Sequence, residues 1–158
     1  MTYKPPKRLT LKELQPIIEF YHAQFPGWRV IRGDTLVREA GPVLQGIVFE
    51  RLSAGDYRPV GHIRVLVAPE DFWGLELPQY LTKPQSISRR QHPEYRDRVV
   101  QAIRAEFLPP VNQPLVPEEV LQLYEREAKP PRSPEAYSLA ALNAYLGHPK
   151  RAFYWCAR

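Results

Sequence analysis

The sequence predicts an α+β fold: an N-terminal helix, a small antiparallel sheet of three to four strands and a helical C-terminal third. Three observations carry this. Leu14, Ile17, Ile18, Tyr21 and Phe25 recur at spacings of three and four, the signature of an amphipathic helix. Residues 41–67 hold two apolar runs around a polar break. Beyond residue 92, four helical stretches open on Pro93, Pro117, Pro134 and Pro149, and proline suits a first helical turn.

The first helix is expected over about Leu11 to Gln24, with Thr10 and Glu13 spaced as a capping box and Pro26-Gly27 ending it. Pro16 lies inside this span, and an interior proline costs about 3 kcal/mol. That cost moves the expected start toward Leu14 or Gln15.

Trp28 to Ile31 and Thr35 to Arg38 flank Arg32-Gly33-Asp34, which predicts a short hairpin. The same tripeptide is displayed by some adhesion proteins, but a turn accounts for Gly33 and Asp34 better. The long hairpin comes next. Val43, Gln45, Ile47, Phe49 and Arg51 share one face of its first strand, and Leu44, Val48 and Leu52 the other, so both faces are expected to be partly covered. In its second run, Val60 to Val67, Ile63, Val65 and Val67 alternate with His62, Arg64 and Leu66, the period of a half-buried strand. Ser53, Gly55, Asp56 and Pro59 are read as the loop between them.

The stretch DFWGLELPQYL is broken by Gly74 and Pro78 and reads as a helical turn with irregular chain. Its large apolar groups either cap the sheet or meet a partner, since burying each is worth about 1.5–3 kcal/mol. Phe72, Trp73 and Tyr80 are the candidate partner surface.

A second helix is expected from Pro93 to Leu108, with Tyr95, Val99, Ile103 and Phe107 in steps of four and Pro109-Pro110 as its stop. Glu118 and Glu119 open a third helix, at the positive end of its dipole. A fourth runs from Ser133 to a left-handed cap at Gly147, and a fifth, KRAFYWCAR, begins after Pro149. A helix that short needs docking, so Trp155 is expected to bury most of its ring against Leu142 and Leu146. Either the last helix docks, or the chain continues in a longer parent and associates with itself through the same helices.

A chain of 158 residues, 44% hydrophobic and 25% charged, suits one globular domain, 1–158, with a sheet portion at about 28–68 and a helical portion at about 93–158. The 18 prolines exceed the usual share of about 5% and punctuate helix starts and connectors. Cys156 is the only cysteine, which excludes an internal disulfide, and no uncharged apolar run is long enough to span a bilayer. No signal-peptide pattern opens the chain. A soluble cytoplasmic protein with no membrane partner is expected.

The net charge of +5 is concentrated between Lys83 and Arg104, where six cations face two anions. Arg89, Arg90, Arg96 and Arg98 form the candidate surface for an acidic protein or a nucleic-acid backbone. Tyr95 and His92, interleaved with them, suit base stacking, although Tyr95 also belongs to the apolar stripe of its helix.

Chemistry is harder to find. The histidines His22, His62, His92 and His148 share no ligand spacing, so no metal site is expected. Phosphate-cradling glycine loops, dinucleotide fingerprints and nucleophile elbows are absent from the sequence, and no cofactor is expected. Cys156, beside Phe153, Tyr154 and Trp155, reads as a buried structural thiol. Glu50 and His62 fall on adjacent strands of the expected hairpin, an acid-base geometry that exposed strand faces also carry without catalysis. Arg51, Arg58 and Arg64 surround the same hairpin as anion-binding candidates. No residue is assigned a catalytic role.

Two segments resemble known families. Residues 139–157, LAALNAYLGHPKRAFYWCA, place small residues Ala140, Ala141, Ala144 and Ala152 among Leu142, Leu146 and Trp155. This is similar to one helix pair of a tetratricopeptide repeat, whose unit runs about 34 residues and recurs at least three times. It implies two helices packed antiparallel. The front of the chain, through Trp28 and the spacing Arg38-x-x-Gly41-x-x-x-Gln45 into the long hairpin, resembles small bacterial domains found beside contact-dependent and polymorphic toxins. That resemblance implies an immunity-like role and transfers no site residue. The first functional expectation is therefore a non-catalytic bacterial binding protein of immunity or adaptor type, with another protein, such as a toxin, as partner. The second is a nucleic-acid-associated accessory protein using residues 83–104, and the third an enzyme without a recognisable motif.

Overall fold

The computed structural model describes residues 7–68, 75–82, 86–128 and 133–157. They form an α+β fold with the order α1 (Leu11–Gln24), β1 (Arg29–Ile31), β2 (Thr35–Ala40), β3 (Val43–Arg51), β4 (Asp56–Val65), β5 (Glu76–Tyr80), β6 (Ile87–Ser88), α2 (His92–Glu106), α3 (Pro117–Glu127), α4 (Ser133–Tyr145) and α5 (Pro149–Cys156). Among the described residues the sheet has six strands, not three or four, in the order β1-β2-β3-β4-β5, with β6 also on β4. The chain separates into two compact units, residues 1–38, 46–61 and 79–107 in one and 39–45, 62–78 and 108–158 in the other.

In the first unit α1 starts at Leu11 in spite of Pro16. Thr10 explains why. Its Oγ1 accepts from the Glu13 N–H at 3.2 Å, while Glu13 Oε2 accepts from the Thr10 N–H at 2.9 Å and the Thr10 hydroxyl at 2.8 Å. The reciprocal cap holds the first turn, and Pro16 removes a single backbone donor from the helix. Leu14, Ile17, Ile18 and Tyr21 are buried as their spacing requires.

The short hairpin forms as expected, with Arg29 opposite Val37 and Ile31 opposite Thr35. Arg32 and Gly33 both take positive φ in its turn. Arg38 lies over the Trp28 ring, 5.4 Å from the centroid.

The long hairpin is tighter than its turn-forming residues suggest. Its loop spans only Leu52 to Gly55, because β4 begins at Asp56 and runs through Pro59. Pairing holds these turn-prone residues extended: the Leu52 N–H donates to the Asp56 carbonyl at 2.9 Å, and Asp56 and Tyr57 pair with Ser88 and Ile87. At the other end β4 stops at Val65, so Val67 is exposed instead of sharing the buried face.

Beneath this part of the sheet lies an aromatic core. Tyr21 stacks on Phe49 with centroids 4.9 Å apart. Its hydroxyl meets that of Tyr57 at 2.9 Å, and Tyr57 continues the chain to His92 Nδ1 at 2.8 Å. Burial raises both tyrosines, Tyr21 to about 12, and lowers His92, so the trio stays neutral near pH 7.

In the second unit, Val43, Ile63 and Val65 join Val120, Leu121, Tyr124, Leu139 and Leu142 in one apolar cluster. Gln45, also buried, donates its Nε2 to the Pro109 carbonyl at 2.5 Å. Gly41 has φ +54, and a Cβ there would sit 3.2 Å from the Tyr145 hydroxyl. Thus Arg38, Gly41 and Gln45 each have a structural task in the chain around the hairpin.

Residues 76–80 form strand β5, where irregular chain was expected. Pro78 lies within it and Leu77 has φ +46. The proline is tolerated because β5 ends the strand order. α4 and α5 pack as a helix pair with Gly147 at φ +79 in the turn. Trp155 packs against the apolar cluster but is only partly buried. Cys156 is exposed, contrary to the buried thiol expected. The aromatic residues next to it do not shield it: Ala152 is the buried residue of α5, and Phe153 points outward at 76% exposure.

Candidate binding cleft

A cleft of about 220 Å³ opens in the first unit between the β5–β6 region and α2. One wall comes from Tyr80, Leu81, Thr82 and Ile87, the other from Tyr95, Arg98, Val99, Ala102 and Glu106. The helical wall comes from spacing, since these positions step by three or four along one stripe of α2. Val100 and Ile103 fall on the adjoining stripe and, like Val99, are buried. They anchor α2 and leave the cleft stripe half open.

The centre is apolar, made by buried Leu81, Ile87 and Val99. Its rim is polar and aromatic. Tyr80 is 60% exposed, and the Arg58 guanidinium lies 4.9 Å from its ring centroid. Arg58 is itself held by Glu50, its Nε donating to Oε2 at 2.8 Å. Arg98 lies 5.8 Å from the centroid of Tyr95. Thr82 Oγ1 is buried and has no hydrogen-bond partner among the described residues.

Of the predicted site residues, Tyr80 and Arg98 meet here. Phe72 and Trp73 lie outside the described residues. The other arginines go elsewhere. Arg89 pairs with Glu13 at 3.5 Å, both exposed. Arg96 turns toward α1, its guanidinium 4.6 Å from the Phe20 centroid and its Nε buried. Arg90 stays on the surface in the turn before α2. The basic window is therefore divided among separate environments. Glu106 and Thr82 were not foreseen as site residues; the Tyr95–Ala102–Glu106 spacing was the only signal available for the first.

Acid-base chemistry finds less support. Glu50 is engaged by Arg58 and not available as a free base. Arg51 donates to the Leu9 carbonyl at 3.1 Å. Among the described residues no group of three His, Cys, Asp or Glu could hold a metal ion. No helix of the structure is long and apolar enough to cross a membrane.

The second unit carries its own polar cluster. Glu76 Oε2 accepts from the Tyr124 hydroxyl at 2.7 Å and the Ser138 hydroxyl at 2.6 Å, which ties β5 to α3 and α4. Burial raises the Glu76 carboxyl, and nearby Glu135 adds to the rise, while the two hydroxyl donors oppose it. Burial lowers His62 to about 4, with Arg64 adding to the drop. The two act in opposite senses on stability. A carboxyl raised on folding stabilises fully below its ordinary value near 4.5, and that contribution is lost as pH rises through the raised value. A histidine lowered on folding stabilises above 6.5, and its contribution is lost as pH falls toward 4. Glu76→Gln keeps an acceptor for both hydroxyls and removes the charge. It should raise the melting temperature at pH 7 by a few degrees and abolish the decline between acid and neutral pH, leaving the acid-side loss due to His62. Thermal melts from pH 4 to 8 check this; a variant that melts lower at pH 7 would make the carboxylate a net stabiliser.

An apolar groove of about 450 Å³ runs beside α4 and α5, lined by Tyr137, Ala140, Ala144, Ala152, Phe153 and Cys156. No family model, curated protein or solved structure matches this chain.

Proposed function

We propose that this chain is a non-catalytic binding protein of adaptor or immunity type, and that it grips a protein partner at the Tyr80–Arg98 cleft. The observation that supports this reading is convergence. An exposed tyrosine from β5 and an arginine from α2 reach the same cleft, over an apolar floor. Tyrosine and arginine around a desolvated apolar centre are the residues that carry most binding energy in protein interfaces. The nucleic-acid reading is weaker, because Arg89 is paired and Arg96 is laid on Phe20. A continuous phosphate track needs such cations free and aligned.

Selection from a displayed random dodecapeptide library provides the test. Selected peptides should bind the parent protein and lose about tenfold or more in affinity to Tyr80→Ala, with the melting temperature unchanged. Binders indifferent to Tyr80, or a salt-sensitive oligonucleotide complex lost on changing Arg89, Arg90, Arg96 and Arg98 to Gln, would overturn the proposal.

A further inference from the structure

The charges around the cleft narrow the kind of partner it can take, given that the cleft binds protein as proposed. Arg98 and Glu106 stand on the same stripe of α2, eight residues apart, which places them about 12 Å apart along the helix. Both are exposed, and neither forms an ion pair with any described residue. Between them Ala102 leaves the floor low. Thr82 Oγ1 adds, on the opposite wall, a buried hydroxyl without a partner among the described residues, a group that gains by bonding to whatever enters the cleft.

One cation and one anion at that separation match an extended peptide. A strand advances about 3.3 Å per residue, so about 12 Å corresponds to residues i and i+4. Those two side chains, and that of i+2 between them, project from the same face. We infer that the cleft reads an extended segment of a protein partner with the pattern acidic-x-apolar-x-basic. The acidic side chain meets Arg98, the basic one meets Glu106, and the apolar one settles over Ala102 among Leu81, Ile87 and Val99. Thr82 Oγ1 is placed to hydrogen-bond the segment's backbone. A uniformly acidic partner, which the net charge would favour, leaves Glu106 facing a like charge.

Synthetic peptides with Glu-x-Leu-x-Lys, Glu-x-Leu-x-Glu and Lys-x-Leu-x-Lys in otherwise identical neutral frames test this by calorimetry. The parent protein should prefer the mixed peptide by about tenfold over either like-charged one, and moving the two charges to i and i+3 should remove the preference. Glu106→Arg should shift the preference to Glu-x-Leu-x-Glu, and Arg98→Glu to Lys-x-Leu-x-Lys. Both substitutions are on the surface, so unchanged melting is expected and is measured alongside. Equal binding of all three peptides by the parent, binding of none, or variants that keep the parental preference would each overturn the inference. Library binders of another pattern that still depend on Tyr80 would overturn it while leaving the proposed function standing.

Discussion

Ile47→Asp should leave the chain unfolded at room temperature. Ile47 is fully buried in β3, next but one to Phe49 of the aromatic core. A carboxylate there either stays charged without a partner or takes up a proton, and each costs several kcal/mol. A folded domain has only about 5–15 kcal/mol to lose. Val30→Asp is the control. Val30 is partly exposed on the three-residue strand β1, and a change there should stay within about 0.5 kcal/mol. Urea melts followed by circular dichroism separate the two. A folded Ile47→Asp protein with parental stability would mean that β3 is not the spine of the core.

Gly61→Val should destabilise nearly as severely, through crowding instead of charge. A Cβ at Gly61 would meet Phe107 Cε2 at 2.5 Å and its Cδ2 and Cζ at 2.8 Å. These are backbone-anchored approaches to a ring that is itself 1% exposed and comes directly after α2. The ring cannot leave without opening the core, and overpacking of this kind costs about 1–3 kcal/mol or more. Phe107→Leu costs stability alone by leaving a gap. Combined with Gly61→Ala it should cost less than the two added together, because each change relieves the other. Denaturant midpoints of the two singles and the double complete the cycle. Additive losses would show that Gly61 and Phe107 do not share space.

The helices were legible because each is announced locally. Thr10 and Glu13 cap α1, prolines open α2, α3 and α5, and Gly147 ends the fourth. Local signals also misled. Asp56 and Pro59 are turn formers, yet both lie in β4, where Asp56 pairs with Ser88. Pro78 made β5 look irregular, although a strand that ends the sheet order tolerates a proline. Phe153 and Tyr154 suggested a buried C-terminus, whereas helical rotation sends them outward. The cleft was legible only in parts. Tyr80 and Arg98 stood out as residue types, but their meeting depends on how residues 80–87 face α2, and no periodicity encodes that. The Glu76–Tyr124–Ser138 cluster is further still from local pattern, since its members come from three separate elements.

The two ends of the sheet have a consequence for what the chain can become. An open strand edge is a template on which a second chain can grow, and growth of that kind leads to fibres as readily as to complexes. Here β1 offers three residues, β6, which pairs with β4 off the main order, only two, and β5 carries a proline and a left-handed leucine. An incoming strand would find too few amides in line at either edge to register against. Short, kinked edges of this kind disfavour growth by strand addition.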